Sequence, residues 1–89
     1  MNKFTLYVDS DTLNSDFVIH CQQRLNSDKS EVIVFEEGKD FDNIDLKIES
    51  YPALKFTFID NNEVIHENFC KNFEESYEYL KRMYLIWLN

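Results

Sequence analysis

The side chains able to act as nucleophiles, metal ligands or proton shuttles are few in this sequence, and their spacing suits none of those tasks. Cys21 and Cys70 stand far apart, with no Cys-x-x-Cys pair and no Cys/His ligand pair. Neither a disulfide framework nor a zinc site is indicated. Cys21 falls on an apolar helical stripe, where a thiol acts as a small buried hydrophobe, and Cys70 is expected in the loop before the last helix. A thiol redox role would have to use one of these two. His20 and His66 have no Cys or His at ligand spacing. Asp9 and Asp11, and again Asp40 and Asp42, alternate as the first ligands of a calcium loop do, but Leu13 and Ile44 stand where the third oxygen is needed. Capping of a helix is the better use of the first pair. Tyr77, Tyr79, Tyr84 and Trp87 could stack on bases, yet the charges around them are neutral to acidic, so core packing is favoured. No metal, no cofactor and no enzymatic activity are expected.

The chain that must position these groups has 89 residues and 10.8 kDa, enough for one domain with one small core. One glycine and one proline exclude Gly-rich phosphate loops and low-complexity linkers. Nine Lys and Arg against seventeen Asp and Glu give a net charge of −8, an unfavourable field for approach to nucleic acid or to an anionic membrane. Residues 71 to 89 balance Lys71, Lys81 and Arg82 against Glu74, Glu75 and Glu78, so the acidic excess lies in residues 1 to 70. The uncharged run from Phe4 to Val8 is too short for a signal-peptide core or a membrane span, which makes a cytoplasmic location the expectation. The Asn, Lys and Ile usage suits an AT-rich genome such as that of a bacteriophage.

From Lys3 to Asp9 the alternation of Phe4, Leu6 and Val8 with Lys3, Thr5 and Tyr7 has the period of a strand. Ser10 or Asp11 then caps a helix from about residue 12 to 26, whose stripe is Leu13, Phe17, Cys21 and Leu25. The apolar run Glu31 to Phe35 suits a strand buried on both faces and parallel to the first, joined by a right-handed crossover. In residues 36 to 50, Phe41, Ile44 and Ile48 define one face of a short, weak helix. Tyr51-Pro52 stops it. Ala53 to Ile59 reads as a strand, Asn61-Asn62 as a two-residue hairpin turn, and Val64 to Glu67 as the return strand. Asn72 with Glu75 forms a capping box for a final helix striped by Phe73, Tyr77, Leu80, Tyr84 and Trp87 or Leu88. Leu85 and Ile86 exceed what one core-facing stripe can bury, so they are a candidate interface, including that of a homodimer through the C-terminal helix.

The order βαβ, weak helix, ββ, α, with the segment Ile48 to Val64 (IESYPALKFTFIDNNEV), resembles the thioredoxin-like fold of thioredoxins, glutaredoxins and protein disulfide isomerase domains. Ala53 stands where threonine is usual and Asn62 roughly where glycine is usual. The resemblance implies an α/β fold with a four-stranded mixed sheet in the order 2-1-3-4 flanked by helices on both faces. It also implies a cis Tyr51–Pro52 peptide beside the binding surface. The family's catalytic thiol would sit at the end of the first strand, where helix N-terminal amides lower its pKa. Here that stretch is Asp9-Ser10-Asp11-Thr12-Leu13-Asn14, and no thiol is in it. A hydroxyl at Ser10 or Thr12 forms no exchangeable mixed disulfide. The segment LYVDSDTL is also similar to the Asp-x-Asp strand end of haloacid-dehalogenase phosphatases, but lacks their spacing before the Thr-Leu pair and their later Lys and Asp motifs.

The expected function is therefore a redox-inactive, thioredoxin-like module that binds a protein partner. Its candidate surface is Ser10, Asp11, Thr12 and Leu13 together with Tyr51, Pro52 and Ala53. Two alternatives stand beside it: an atypical thiol protein using Cys21 or Cys70, and an acidic inhibitor or nucleic-acid mimic that occupies a basic site on its partner.

Overall fold

In the computed structural model, residues 1–84 are described, and they form β1 (Asn2–Val8), α1 (Asp16–Leu25), β2 (Ser30–Glu36), β3 (Ala53–Asp60), β4 (Glu63–Cys70) and α2 (Phe73–Tyr84). The sheet is mixed, with strand order β2-β1-β3-β4. β1 and β2 run parallel in the register Phe4↔Val32 and Leu6↔Val34. β3 is antiparallel to β1, with Phe4↔Phe56 and Tyr7↔Ala53, and β4 returns antiparallel to β3. The fold class is α/β. Leu85 and Ile86, the candidate interface, lie outside the described residues, as do Trp87 and Leu88.

Side-chain alternation along β1 divides the interior into two layers. Phe4, Leu6 and Val8 point to one face and meet Phe17, Val18, Cys21 and Leu25 of α1, Leu54 and Phe56 of β3, and Leu80 of α2. Tyr7 points to the other face and packs with Ala53, Ile48, Phe35, Phe41, Leu46 and Tyr51. Both helices thus cover one face, and a loop from Glu37 to Pro52 covers part of the second. This corrects the expectation of helices on both faces.

The missing helix has a local cause. Gly38 (φ 82°) and Lys47 (φ 57°) sit in the left-handed region, which an α-helix cannot pass through. Turn bonds replace the helical ladder: Asp40 N–H donates to the Glu36 carbonyl at 2.7 Å and Gly38 N–H to the Phe41 carbonyl at 2.8 Å. Asn43 then latches the backbone of Ile48, its Oδ1 accepting from the amide at 2.8 Å and its Nδ2 donating to the carbonyl at 3.0 Å. Of the three residues on the expected helical face, Ile48 is buried and Phe41 half-buried, while Ile44 is 73% exposed.

Other boundaries also move. α1 begins at Asp16 rather than near residue 12, with Ser15 as N-cap in an extended conformation and no side-chain capping bond. β2 is half-buried throughout rather than buried on both faces, because it is an edge of the sheet. β4 extends to Cys70, which places that thiol in a strand rather than a loop. The Asn61-Asn62 turn has φ 53° and 65°, the two positive values a type I′ hairpin requires. At α2, Asn72 Oδ1 accepts from the Glu75 amide at 2.8 Å, as a capping residue should. The Tyr51–Pro52 peptide is cis.

Candidate functional site

Parallel pairing of β1 with β2 and antiparallel pairing with β3 bring the end of β1, the end of β2 and the start of β3 to the same end of the sheet. Because Leu54 pairs with Cys70, the N-terminus of α2 arrives there as well. The two candidate segments, 10–13 and 51–53, therefore meet at this end by topology alone.

Asp9 closes the first segment into a turn. Its Oδ1 accepts from the Thr12 amide at 3.0 Å and the Thr12 hydroxyl at 2.7 Å, while its own amide donates to Thr12 Oγ1 at 3.1 Å. Its carbonyl accepts from the amides of Thr12 and Leu13 at 3.2 and 3.0 Å. Asp side chains compete for backbone amides in this way, which is why residues 10–14 turn instead of opening the helix. Neither Ser10 nor Asp11 is the cap. Both are exposed, Thr12 is half-buried, and Leu13 is half-buried against the helical core. Ser15 Oγ is buried with no hydrogen-bond partner among the described residues.

The second segment is held by its neighbours. Glu49 N–H donates to the Lys71 carbonyl at 2.7 Å, and its carboxylate meets Asn72 Nδ2 at 3.1 Å and Lys71 Nζ at 3.7 Å. Ser50 Oγ accepts from the Phe73 amide at 2.9 Å, and Phe73 packs edge-on against Phe17 at 5.1 Å between ring centres. The starts of both helices and the proline loop are thereby one braced unit. Pro52 and Ala53 are buried, so they position this end without presenting a side chain to a partner. Tyr51 is half-buried, its ring 6.4 Å from that of Phe41.

The Tyr51 phenol is held above its ordinary pKa, first by partial burial and then by the carboxylates of Glu37, Asp9 and Asp42, with Asn43 pulling the other way. It remains a neutral hydrogen-bond donor inside an acidic rim. Glu37, Asp42 and Asn43 were not legible as site residues, because only the turn from Gly38 to Asp40 brings them to Tyr51. The Asp-x-x-Thr spacing of Asp9 and Thr12 was the one local signal for the turn.

Neither candidate segment carries a thiol, and Cys70, which reaches this end of the sheet opposite Leu54, lies in β4 outside both of them. Cys21 is fully buried in α1, and burial pushes its thiol up to about 12. Cys70 is buried and also raised, by burial first and then by the Glu75 carboxylate, with Asn68 opposing. Both are free thiols. Among the described residues no three His, Cys, Asp or Glu side chains are grouped to hold a metal ion, and no helix is long and apolar enough to cross a membrane. The arrangement offers hydrogen-bond donors and acceptors, negative charge and a braced edge. It offers no activated nucleophile. No protein-family model, curated protein or solved structure matches the chain.

Proposed function

We propose that this chain is a thioredoxin-like protein-binding module without thiol chemistry, and that it holds a partner at the sheet end formed by Ser10–Leu13 and Tyr51. The observation that carries this reading is that those two segments come to one end of the sheet with no thiol in either of them. The element order, the sheet order and the segment Ile48 to Val64 support the family assignment. The partner is recognised by hydrogen bonding and by charge: Ser10 and Asp11 stand exposed at the tip, and the Tyr51 phenol lies among Asp9, Glu37 and Asp42.

The test is capture of partners from the native host with the tagged chain, identified by mass spectrometry, beside an assay of insulin disulfide reduction. The Asp11→Lys variant is expected to lose the captured partner while keeping the wild-type circular dichroism spectrum. The double variant Cys21→Ser, Cys70→Ser is expected to keep the partner if it folds, and neither it nor the wild type should reduce insulin. Reduction by the wild type that disappears in a folded double variant would replace this reading with the redox one.

The acidic rim and the net charge of −8 favour a second reading, in which the chain blocks a basic site on its partner as an acidic inhibitor. Capture that fades steeply as salt rises, and that added DNA competes away, separates this reading from the first.

A further inference from the structure

We propose that β4 is a docking edge that receives an extended, cationic segment of a partner protein as a fifth strand of the sheet. A free edge strand presents unpaired amides and carbonyls, and folded proteins usually blunt it with brevity, charged side chains, a proline, a bulge or a covering element. Among the described residues β4 is an outer strand of the sheet; it is eight residues long, includes no Pro, Lys or Arg, and its charged side chains are the carboxylates of Glu63 and Glu67. Val64 and Ile65 are 60% and 58% exposed, and Glu63 to Glu67 is exposed at every position. The opposite edge, β2, is half-buried at all of its residues. One register shift falls between Phe58 and Ile59, and beyond it pairing with β3 is regular from His66 to Cys70.

The space beside this edge suits an added strand. A groove of about 560 Å³ runs between the end of β4 and α2, lined by Asn68, Cys70, Glu75, Glu78, Tyr79 and Arg82 among others. Side chains alternate across an added strand, so every second one would enter the groove on the helix side and the rest would lie over Ile65 and Phe69. Two carboxylates against one guanidinium line the groove, and Glu63 and Glu67 lie on the strand itself. The surface selects positive charge.

A second copy of this chain is the poorer occupant. Antiparallel pairing of β4 with itself about a two-fold axis sets residues of equal parity opposite one another. Centred on Glu67, it places two carboxylates face to face, and centred on Ile65 it opposes Glu63 and Glu67. Centred on His66, it leaves Glu67 diagonal to both Glu63 and Glu67 of the other copy. Like charges across strands destabilise the pairing, and each copy adds its net −8.

The experiment titrates the ¹⁵N-labelled full chain with a blocked octapeptide of alternating lysine and valine, and separately with a glutamate–valine octapeptide. The expected result is saturable shifts and slowed amide exchange at residues 63–70 and along 75–82 with the lysine peptide only. Glu67→Lys is expected to weaken binding about tenfold. Glu67→Gln, which keeps an acceptor for Thr57 Oγ1 at 3.4 Å, should weaken it less. Equal binding of both peptides, shifts centred on residues 9–13 and 37–43 instead, or self-association through β4 in sedimentation would each overturn the proposal. The edge is separate from the Asp11 and Tyr51 surface, so its failure leaves the proposed function standing.

Discussion

Cys21 and Asp9 show how the same residue types that invite a catalytic reading are turned to structural use. The Cys21 thiol ionises near 9 when unfolded and at about 12 when folded, so between those values the unfolded chain has lost a proton that the folded chain keeps. The thiol's contribution to stability is whole below pH 9 and falls as pH climbs toward 12. A urea midpoint that declines over this range in the wild type, and declines less in a folded Cys21→Val variant, is the expected outcome. At neutral pH, dithionitrobenzoate should react with Cys70 slowly and with Cys21 only after unfolding, because the thiolate is the reactive species. Asp9 is the acceptor for both the amide and the hydroxyl of Thr12. Thr12→Val keeps the shape and removes the hydroxyl, and should cost about 1 kcal/mol by urea denaturation.

At the scale of the elements, the turns are where side-chain chemistry decides the backbone. Asn61 and Asn62 both hold positive φ, a conformation that costs a residue with an ordinary Cβ about 1–2 kcal/mol. Asn62→Gly should raise the melting temperature or leave it unchanged, and Asn62→Val should lower it, with the β4 amides showing the loss of protection first. The capping bond from Asn72 to the Glu75 amide is a second such point. Asn72→Ala should cost about 1 kcal/mol of stability, and more if the bond to Glu49 is also needed to seat the proline loop. The loop from Glu37 to Pro52 carries no regular element, yet it supplies Phe41, Leu46 and Ile48 to the second core layer.

Over the whole molecule, a charge of −8 on one small domain opposes folding by self-repulsion, and salt screens exposed charges within about 8 Å at physiological ionic strength. The melting temperature at pH 7 should therefore rise between 10 mM and about 150 mM sodium chloride, a condition chosen to span that screening. The salt bridge between Lys71 and Glu49, at 3.7 Å, joins two exposed side chains, and such pairs contribute little for salt to weaken. How much of this was legible beforehand follows from the range of the forces. The alternation of Phe4, Leu6 and Val8, the stripe of Phe17, Cys21 and Leu25, and the Asn61-Asn62 pair are short-range patterns, and they set the strands, α1 and the hairpin together with their order. The absence of a thiol from Asp9 to Asn14 was equally plain. What only the tertiary structure decided was which faces are covered, and with what. The spacing of Phe41, Ile44 and Ile48 is helical, but Asn43 and the left-handed Gly38 and Lys47 hold a loop there, and the second face of the sheet is closed by packing on Tyr7. The start of α1 yielded in the same way to the side chain of Asp9, and the acidic surroundings of Tyr51 exist only because three chain segments come to one end of the sheet. Such arrangements depend on contacts between distant residues, and periodicity along the chain has no term for them.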